Sequence, residues 1–188
     1  LDDGTQGATS EKVLTAVQKL ISDLREAGLE INQRKCELII LNYKRVEENR
    51  TEELFREIFP DLSVIPLAES SLLGAPLTEE GISPSIAEKC LDLERMASRL
   101  KLVENHQAFA LLKNCFSLPK LQYILRASPA YKCKDGLTRF DNVLKDALSA
   151  VTNVQFEGDS FAQAVLPVSK GGLGVRLSRD IALPAYIS

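Results

Sequence analysis

The first residues of the chain place two carboxylates side by side in a segment that favours a tight turn. Asp2 and Asp3 precede Gly4 and Thr5, and Asp-Gly is a preferred pair for a two-residue hairpin turn because both central positions favour positive φ. Adjacent carboxylates repel each other unless cations neutralise them, and Mg²⁺ prefers carboxylate oxygens. Two-metal phosphoryl transfer needs ions held about 3.5–4 Å apart. The tetrapeptide therefore predicts either such a Mg²⁺ site at a hairpin tip or an ordinary surface turn.

Short alternating elements follow this turn and have to position it. Ser10 is a good helix N-cap, and apolar residues then recur at helical spacing as far as Gly28, a natural stop. Pro60 ends a second, shorter helix that contains Leu54, Phe55 and Ile58. The predicted strands are 29–32, 36–41, 63–67 and 72–77. The first part of the chain is therefore expected to form a sheet that carries two helices.

The rest of the chain has a helical pattern. Ser83 and Pro84 form a start signal, with proline at the first helical position, and an apolar stripe continues to Leu100. Further helices are predicted over 106–116, 119–126 and 135–151. The glycine-rich segment 166–175 is expected to be a tight bend rather than a phosphate loop, because its lysine precedes the glycines.

Composition and cysteine usage limit the possible classes of protein. The chain has 188 residues, of which 45% are apolar and 26% charged, as in a globular protein. It shows no apolar run of spanning length and no signal-peptide pattern, and its start at Leu1 suggests a piece of a longer polypeptide. Its four cysteines are widely scattered and it has one histidine. These features argue against a zinc site and predict reduced thiols in an intracellular protein, either nuclear or cytoplasmic.

The net charge of −3 conceals a basic section. Residues 1–97 carry 11 Lys and Arg against 19 Asp and Glu, whereas residues 98–145 carry 9 against 3. The whole chain is therefore not a nucleic-acid binder by bulk charge, but this third quarter could be one locally. The alternative is a solvated face of basic helices.

The order of these segments resembles the second half of a reverse transcriptase palm, most closely that of non-LTR, LINE-type retroelements. The segments that carry this resemblance are the Asp2-Asp3 turn, the run Gly28-Leu-Glu-Ile-Asn-Gln-Arg-Lys-Cys-Glu-Leu-Ile39 and the segment Leu72-Leu-Gly-Ala-Pro76. The resemblance extends to Phe116-Ser-Leu-Pro-Lys-Leu-Gln-Tyr123 and to Leu166-Pro-Val-Ser-Lys-Gly-Gly-Leu-Gly-Val175, which are similar to segments downstream of that palm. It covers nearly the whole chain.

The resemblance implies roles for the palm residues. Asp2 corresponds to the principal Mg²⁺ ligand of a two-metal site, and Asp3 to the auxiliary carboxylate. Lys35 corresponds to the lysine that protonates or steadies the leaving pyrophosphate, or else is an exposed lysine at a strand edge. Leu73 and Gly74 correspond to the primer-grip turn, or else form an ordinary edge turn. The parent protein is then an RNA-directed DNA polymerase, a nucleotidyltransferase of a retrotransposon.

The resemblance also implies a division of the chain and a set of partners. The predicted fold is α+β, with a partial palm of short antiparallel strands and two helices over 1–80 and a helical thumb or connection region over 81–188. A thumb contacts the RNA template and DNA primer through phosphates, while nucleotide triphosphates bind the palm. The thumb residues predicted to bind nucleic acid are Arg99, Lys101, Lys113, Lys120 and Arg126.

The departures from the family concern catalysis. The third metal-binding aspartate and the nucleotide pocket belong to segments that precede the Asp-Asp turn in the family, and this sequence does not contain them. We therefore expect the isolated chain not to polymerise. The alternative is a non-catalytic, retroelement-derived remnant, a helical domain that binds nucleic acid or another protein.

Overall fold

The computed structural model describes residues 4–41 and 45–188, with the backbone alone over residues 45–49. The described chain is mostly helical and contains two short sheets, so the α+β class is confirmed at this coarse level. It divides into two compact units, Leu1–Pro66 and Leu67–Ser188. Residues 67–80, which the sequence assigns to the palm-like part, therefore belong to the same compact unit as the later helices.

The first unit is a β-α-β arrangement preceded by a helix. Its elements are α1 (Ser10–Glu26), a 3₁₀ turn (Gln33–Lys35), β1 (Glu37–Leu38), α2 (Arg45–Ile58) and β2 (Ser63–Val64). Phe55, Phe59 and Leu62 form its buried core, and the apolar stripe of α1 packs against them. That stripe, at helical spacing, is why α1 forms where the sequence predicts it.

Two predictions for the first unit are wrong. β1 and β2 pair in parallel, with Glu37 opposite Ser63, rather than antiparallel, because α2 lies between them as a crossover. The predicted strand 29–32 does not form, since the backbone N–H of Lys35 bonds to the carbonyl of Asn32 and closes the 3₁₀ turn.

The second unit begins with a hairpin and continues as helices. After a 3₁₀ turn (Leu67–Glu69), β3 (Ser71–Leu72) pairs antiparallel with β4 (Ala75–Pro76). The predicted single strand 72–77 is therefore a hairpin that turns at residues 73 and 74. The helices that follow are α3 (Glu79–Leu100), α4 (Asn105–Leu111), α5 (Leu118–Ala127), α6 (Lys134–Thr152), α7 (Asp159–Ala164) and α8 (Ser178–Ile187).

Two helices of this unit differ in detail from their predictions. α3 begins at Glu79, so Pro84 lies inside the helix rather than at its first position. Proline has no backbone N–H, so the carbonyl of Glu80, four residues earlier, lacks its helical hydrogen-bond donor. Glu80 is exposed, and water can donate to this carbonyl instead. The helix predicted over 106–116 changes at Leu112 into one π-helical turn, Leu112–Phe116.

The core of the second unit lies between α3 and α6. Ile86, Cys90 and Leu93 of α3 are buried, as are Phe140 and Leu144 of α6. Among the helices that the structure describes, none has the length and apolarity needed to cross a bilayer.

Candidate nucleic-acid interface

The predicted catalytic carboxylates, Asp2 and Asp3, lie outside the described residues. The second arm of the predicted hairpin would have to form after the turn, in the segment from Gly4 to Thr9. In the structure this segment is exposed and forms no strand. Lys35 is exposed and ends the 3₁₀ turn just before β1. Among the side chains that the structure describes, residues 4–41 and 50–188, no cluster of three ligating groups offers a metal site.

Two of the four cysteine thiols, Cys36 and Cys90, have a raised pKa. All four are unpaired. Burial raises the pKa of Cys36, and it also raises the pKa of Cys90 more than the nearby Arg139 charge lowers it. A raised thiol pKa disfavours the thiolate nucleophile at these two positions.

Leu73 and Gly74 are the two central residues of the β3–β4 turn. Leu72 is paired with Ala75, and both turn residues have positive φ, at 52° and 80°. That backbone suits glycine but is uncommon for leucine. The Leu73 side chain is also 84% exposed. The turn therefore presents an apolar side chain to solvent from a constrained backbone.

Four of the five predicted thumb cations are exposed. Arg99 and Lys101 lie at the C-terminal end of α3, and Lys120 and Arg126 lie on the outer face of α5. None of the four forms an ion pair with any carboxylate that the structure describes, whereas Lys89, Arg95, Lys132 and Arg179 of the same unit do. Their positive charge is therefore not neutralised by a carboxylate in the described part of the chain.

Lys113 has a different environment from the other four. It is half-buried in the π-helical turn, and its Nζ donates a hydrogen bond of 2.9 Å to the carbonyl oxygen of Leu173. The same Nζ lies 6.0 Å from the centroid of the Phe109 ring, within range of a cation–π contact. Because an ammonium has three hydrogens, this bond leaves donor capacity for a further acceptor.

The glycine-rich segment 166–175 is a tight bend, as its sequence predicts. The backbone N–H of Leu173 bonds to Ala164, and that of Gly174 bonds to Leu166, each at 2.9 Å. A Cβ on Gly172 would lie 2.7 Å from the carbonyl oxygen of Gln163 and would also overlap the Leu166 carbonyl. The bend therefore requires glycine at 172 for space.

The π-helical turn, the start of α5 and the glycine bend enclose a groove with a volume of about 470 Å³. We call it the bend groove. Six of the residues that line it are used below: Lys113, Asn114, Pro119, Gln122, Val168 and Arg176. The two downstream segments singled out in the sequence, Phe116–Tyr123 and Leu166–Val175, thus meet at one site although more than 40 residues separate them.

The segments around the bend groove contain no acidic residue. Residues 105–134 carry five Lys and Arg and no Asp or Glu, and residues 165–176 carry two and none. None of the described residues that line the groove carries a carboxylate. The local potential of this surface is therefore positive despite the net negative charge of the chain.

Three groove residues were not predicted from the sequence. Asn114, Gln122 and Arg176 have no motif that marks them. One signal each could have found Arg176 and Gln122, and none marks Asn114. Arg176 lies in a stretch, residues 160–179, that contains no Asp or Glu. Gln122 lies four residues before Arg126, which places the two side chains on one face of α5.

A buried carboxylate holds the wall of the groove that carries Arg176. Asp141 of α6 accepts a hydrogen bond of 2.7 Å from the backbone N–H of Ser178, two residues after Arg176. Burial raises the pKa of Asp141, while the hydrogen bonds from Ser178 and Arg179 and the Arg179 charge oppose that rise. The start of α8 is thereby tied to α6.

Comparison with known proteins finds no family model, no curated protein and no solved structure that matches this chain.

Proposed function

We propose that this chain is the C-terminal palm and thumb part of a LINE-type RNA-directed DNA polymerase, and that its helical unit holds an RNA–DNA hybrid by the phosphates. The observation that carries the nucleic-acid role is the acid-free basic surface of α5, where Lys120 and Arg126 are exposed and form no ion pair with any carboxylate that the structure describes. Phosphate contacts of this kind position a duplex without reading its sequence. The polymerase identity is supported by the order of segments from Asp2 to Val175.

In this proposal the first unit and the hairpin turn contribute to catalysis only within the parent polypeptide. Asp2 and Asp3 would hold Mg²⁺ there, and the metal would stabilise the charge that develops as a primer 3′-hydroxyl attacks a nucleotide triphosphate. Lys35 would donate to the leaving pyrophosphate. Leu73, exposed at its turn, would contact the primer end together with the backbone of Gly74.

The test of the nucleic-acid role is binding of a blunt, labelled RNA–DNA hybrid by fluorescence anisotropy over a salt series. We expect log affinity to fall linearly with log salt, and the Lys120→Gln/Arg126→Gln double variant to lower the slope by about 2, since each contacted phosphate contributes close to one. Lys12→Gln/Lys19→Gln removes the same charge from the exposed side of α1 and should leave the slope unchanged. Absence of binding at low salt by a chain that is folded by circular dichroism would refute the role.

A non-catalytic nucleic-acid-binding remnant is the second candidate. It is favoured by the separate core of the second unit, which carries every predicted thumb cation and none of the predicted catalytic residues. Primer extension by the parent polypeptide separates the two. Mg²⁺-dependent extension that is lost in Asp2→Asn supports the polymerase, and hybrid binding without any extension supports the remnant.

A further inference from the structure

The bend groove combines chemistry for two different parts of a nucleotide. Lys113 and Arg176 supply cationic donors, Pro119 and Val168 supply apolar walls, and Asn114 and Gln122 would supply amide groups. Cations recognise phosphate, and amides both donate to and accept from the edges of bases. Its volume of about 470 Å³ lies within the usual range of small-molecule sites.

The concave shape distinguishes this groove from the outer face of α5. A duplex has a convex backbone and paired bases, so it cannot place a base inside a groove. An unpaired nucleotide can turn its base away from its strand and bury it. Aromatic residues make up only 6% of the chain, so a long stacking surface is not expected, but a single base needs only one apolar slot.

We propose that the bend groove seats one unpaired nucleotide of a nucleic-acid strand, with its phosphate at Lys113 and Arg176 and its base between Pro119 and Val168. Arg126 follows Gln122 by four residues, about 6 Å along the axis of α5. It is thus placed to contact a neighbouring phosphate of the same strand. This inference rests on the proposed nucleic-acid role of the helical unit, and it adds a single-strand site to the hybrid-binding surface.

An acidic peptide is the competing occupant, because it would also complement the positive charge. The two amide side chains that line the groove favour a base, whose edge presents donors and acceptors together in one plane. A peptide with one apolar side chain would use the walls and the cations but would leave Asn114 and Gln122 without matched partners. Burying unmatched amides disfavours binding.

The test measures binding of three labelled probes by the whole chain: a single-stranded RNA of twelve nucleotides, the same sequence as DNA, and the blunt hybrid. Arg176→Gln removes one groove cation on the exposed side of the bend. We expect it to weaken single-strand binding about tenfold, as for loss of one charge-assisted contact, and to leave hybrid binding within about twofold. Lys19→Gln, with the same charge change on α1, should alter neither. The RNA and DNA arms show whether the site requires a 2′-hydroxyl.

The outcomes separate the two proposals. Single strands that fail to bind, or that bind with an affinity independent of Arg176, overturn the groove assignment while hybrid binding still supports the proposed function. Single-strand binding through Arg176 without hybrid binding supports the groove and refutes the hybrid-holding role. Displacement of the RNA by an oligoglutamate of equal charge, at equal concentration, would show that the groove takes anions or acidic peptides rather than a nucleotide.

Discussion

The carboxylate of Asp141 on α6 supplies the N-terminal cap of α8 through its 2.7 Å hydrogen bond from the N–H of Ser178. The residue at the cap position of α8 is Leu177, whose side chain cannot accept a hydrogen bond. Asp141 and Ser178 are 3% and 0% exposed, so their hydrogen bond is shielded from bulk water. A residue 37 positions away in the sequence thus completes the start of this helix.

Removing this carboxylate should destabilise the second unit. We expect Asp141→Ala to lower the free energy of unfolding by about 1–3 kcal/mol, because it leaves the buried N–H of Ser178 without a partner. Chemical denaturation followed by circular dichroism measures the change. Asp146→Ala removes the same side chain from an exposed position of α6 and should change stability by less than about 0.5 kcal/mol. Equal effects of the two substitutions would contradict the capping role.

Asp141 also predicts how stability depends on pH. Its pKa is raised in the folded chain, mainly by burial. The folded state therefore binds the proton more tightly than the unfolded state, and the unfolding free energy should fall as pH rises from the ordinary aspartate pKa through the raised one. Asp141→Asn has no carboxyl to titrate at this position and should not show this fall in unfolding free energy. The stability of the wild type relative to the variant should therefore decrease with rising pH. An increase instead would mean that the hydrogen bonds outweigh burial.

The glycine bend should not tolerate a side chain at residue 172. A Cβ there meets the backbone carbonyls of Leu166 and Gln163, which cannot move without breaking the bend. We expect Gly172→Ala to destabilise the second unit more than Gly171→Ala, which has open space and is strained only by its φ of 79°. The cost at 171 should be about 1–2 kcal/mol. Thermal unfolding of the two variants compares them, and an equal loss of stability would argue against the tight packing at 172.

Lys113 should support the bend as well as bind phosphate. Lys113→Met keeps the aliphatic stem beside Phe109 but removes the donor to Leu173, so we expect a loss of about 1 kcal/mol. Hydrogen exchange of the Gly174 amide should also become faster, since the bend loses this tie. Lys134→Met, on an exposed lysine of α6, is the matched control and should leave both quantities unchanged. Unaltered exchange at Gly174 in Lys113→Met would show that the ammonium does not hold the bend.

Local patterns in the sequence predict most of the helices and the glycine bend. The apolar stripe of α1 and that of α6 lie where their 3.6-residue spacing predicts, because a helix is specified by neighbours within a few residues. The exposed positions of Lys120 and Arg126 follow from the same spacing on α5. The charge contrast between the two parts of the chain is likewise a property of composition alone.

Pairings between distant residues needed the tertiary structure. The sequence contains β1, α2 and β2 in order, but their parallel pairing depends on how the crossover returns the chain. From the sequence, Lys113 is predicted to be an exposed cation like the others. In the structure its ammonium lies 2.9 Å from the carbonyl oxygen of Leu173, 60 residues away. The bend groove and the Asp141 cap exist for the same reason. Short-range periodicity determines where helices form, whereas packing alone determines which side chains and carbonyls meet.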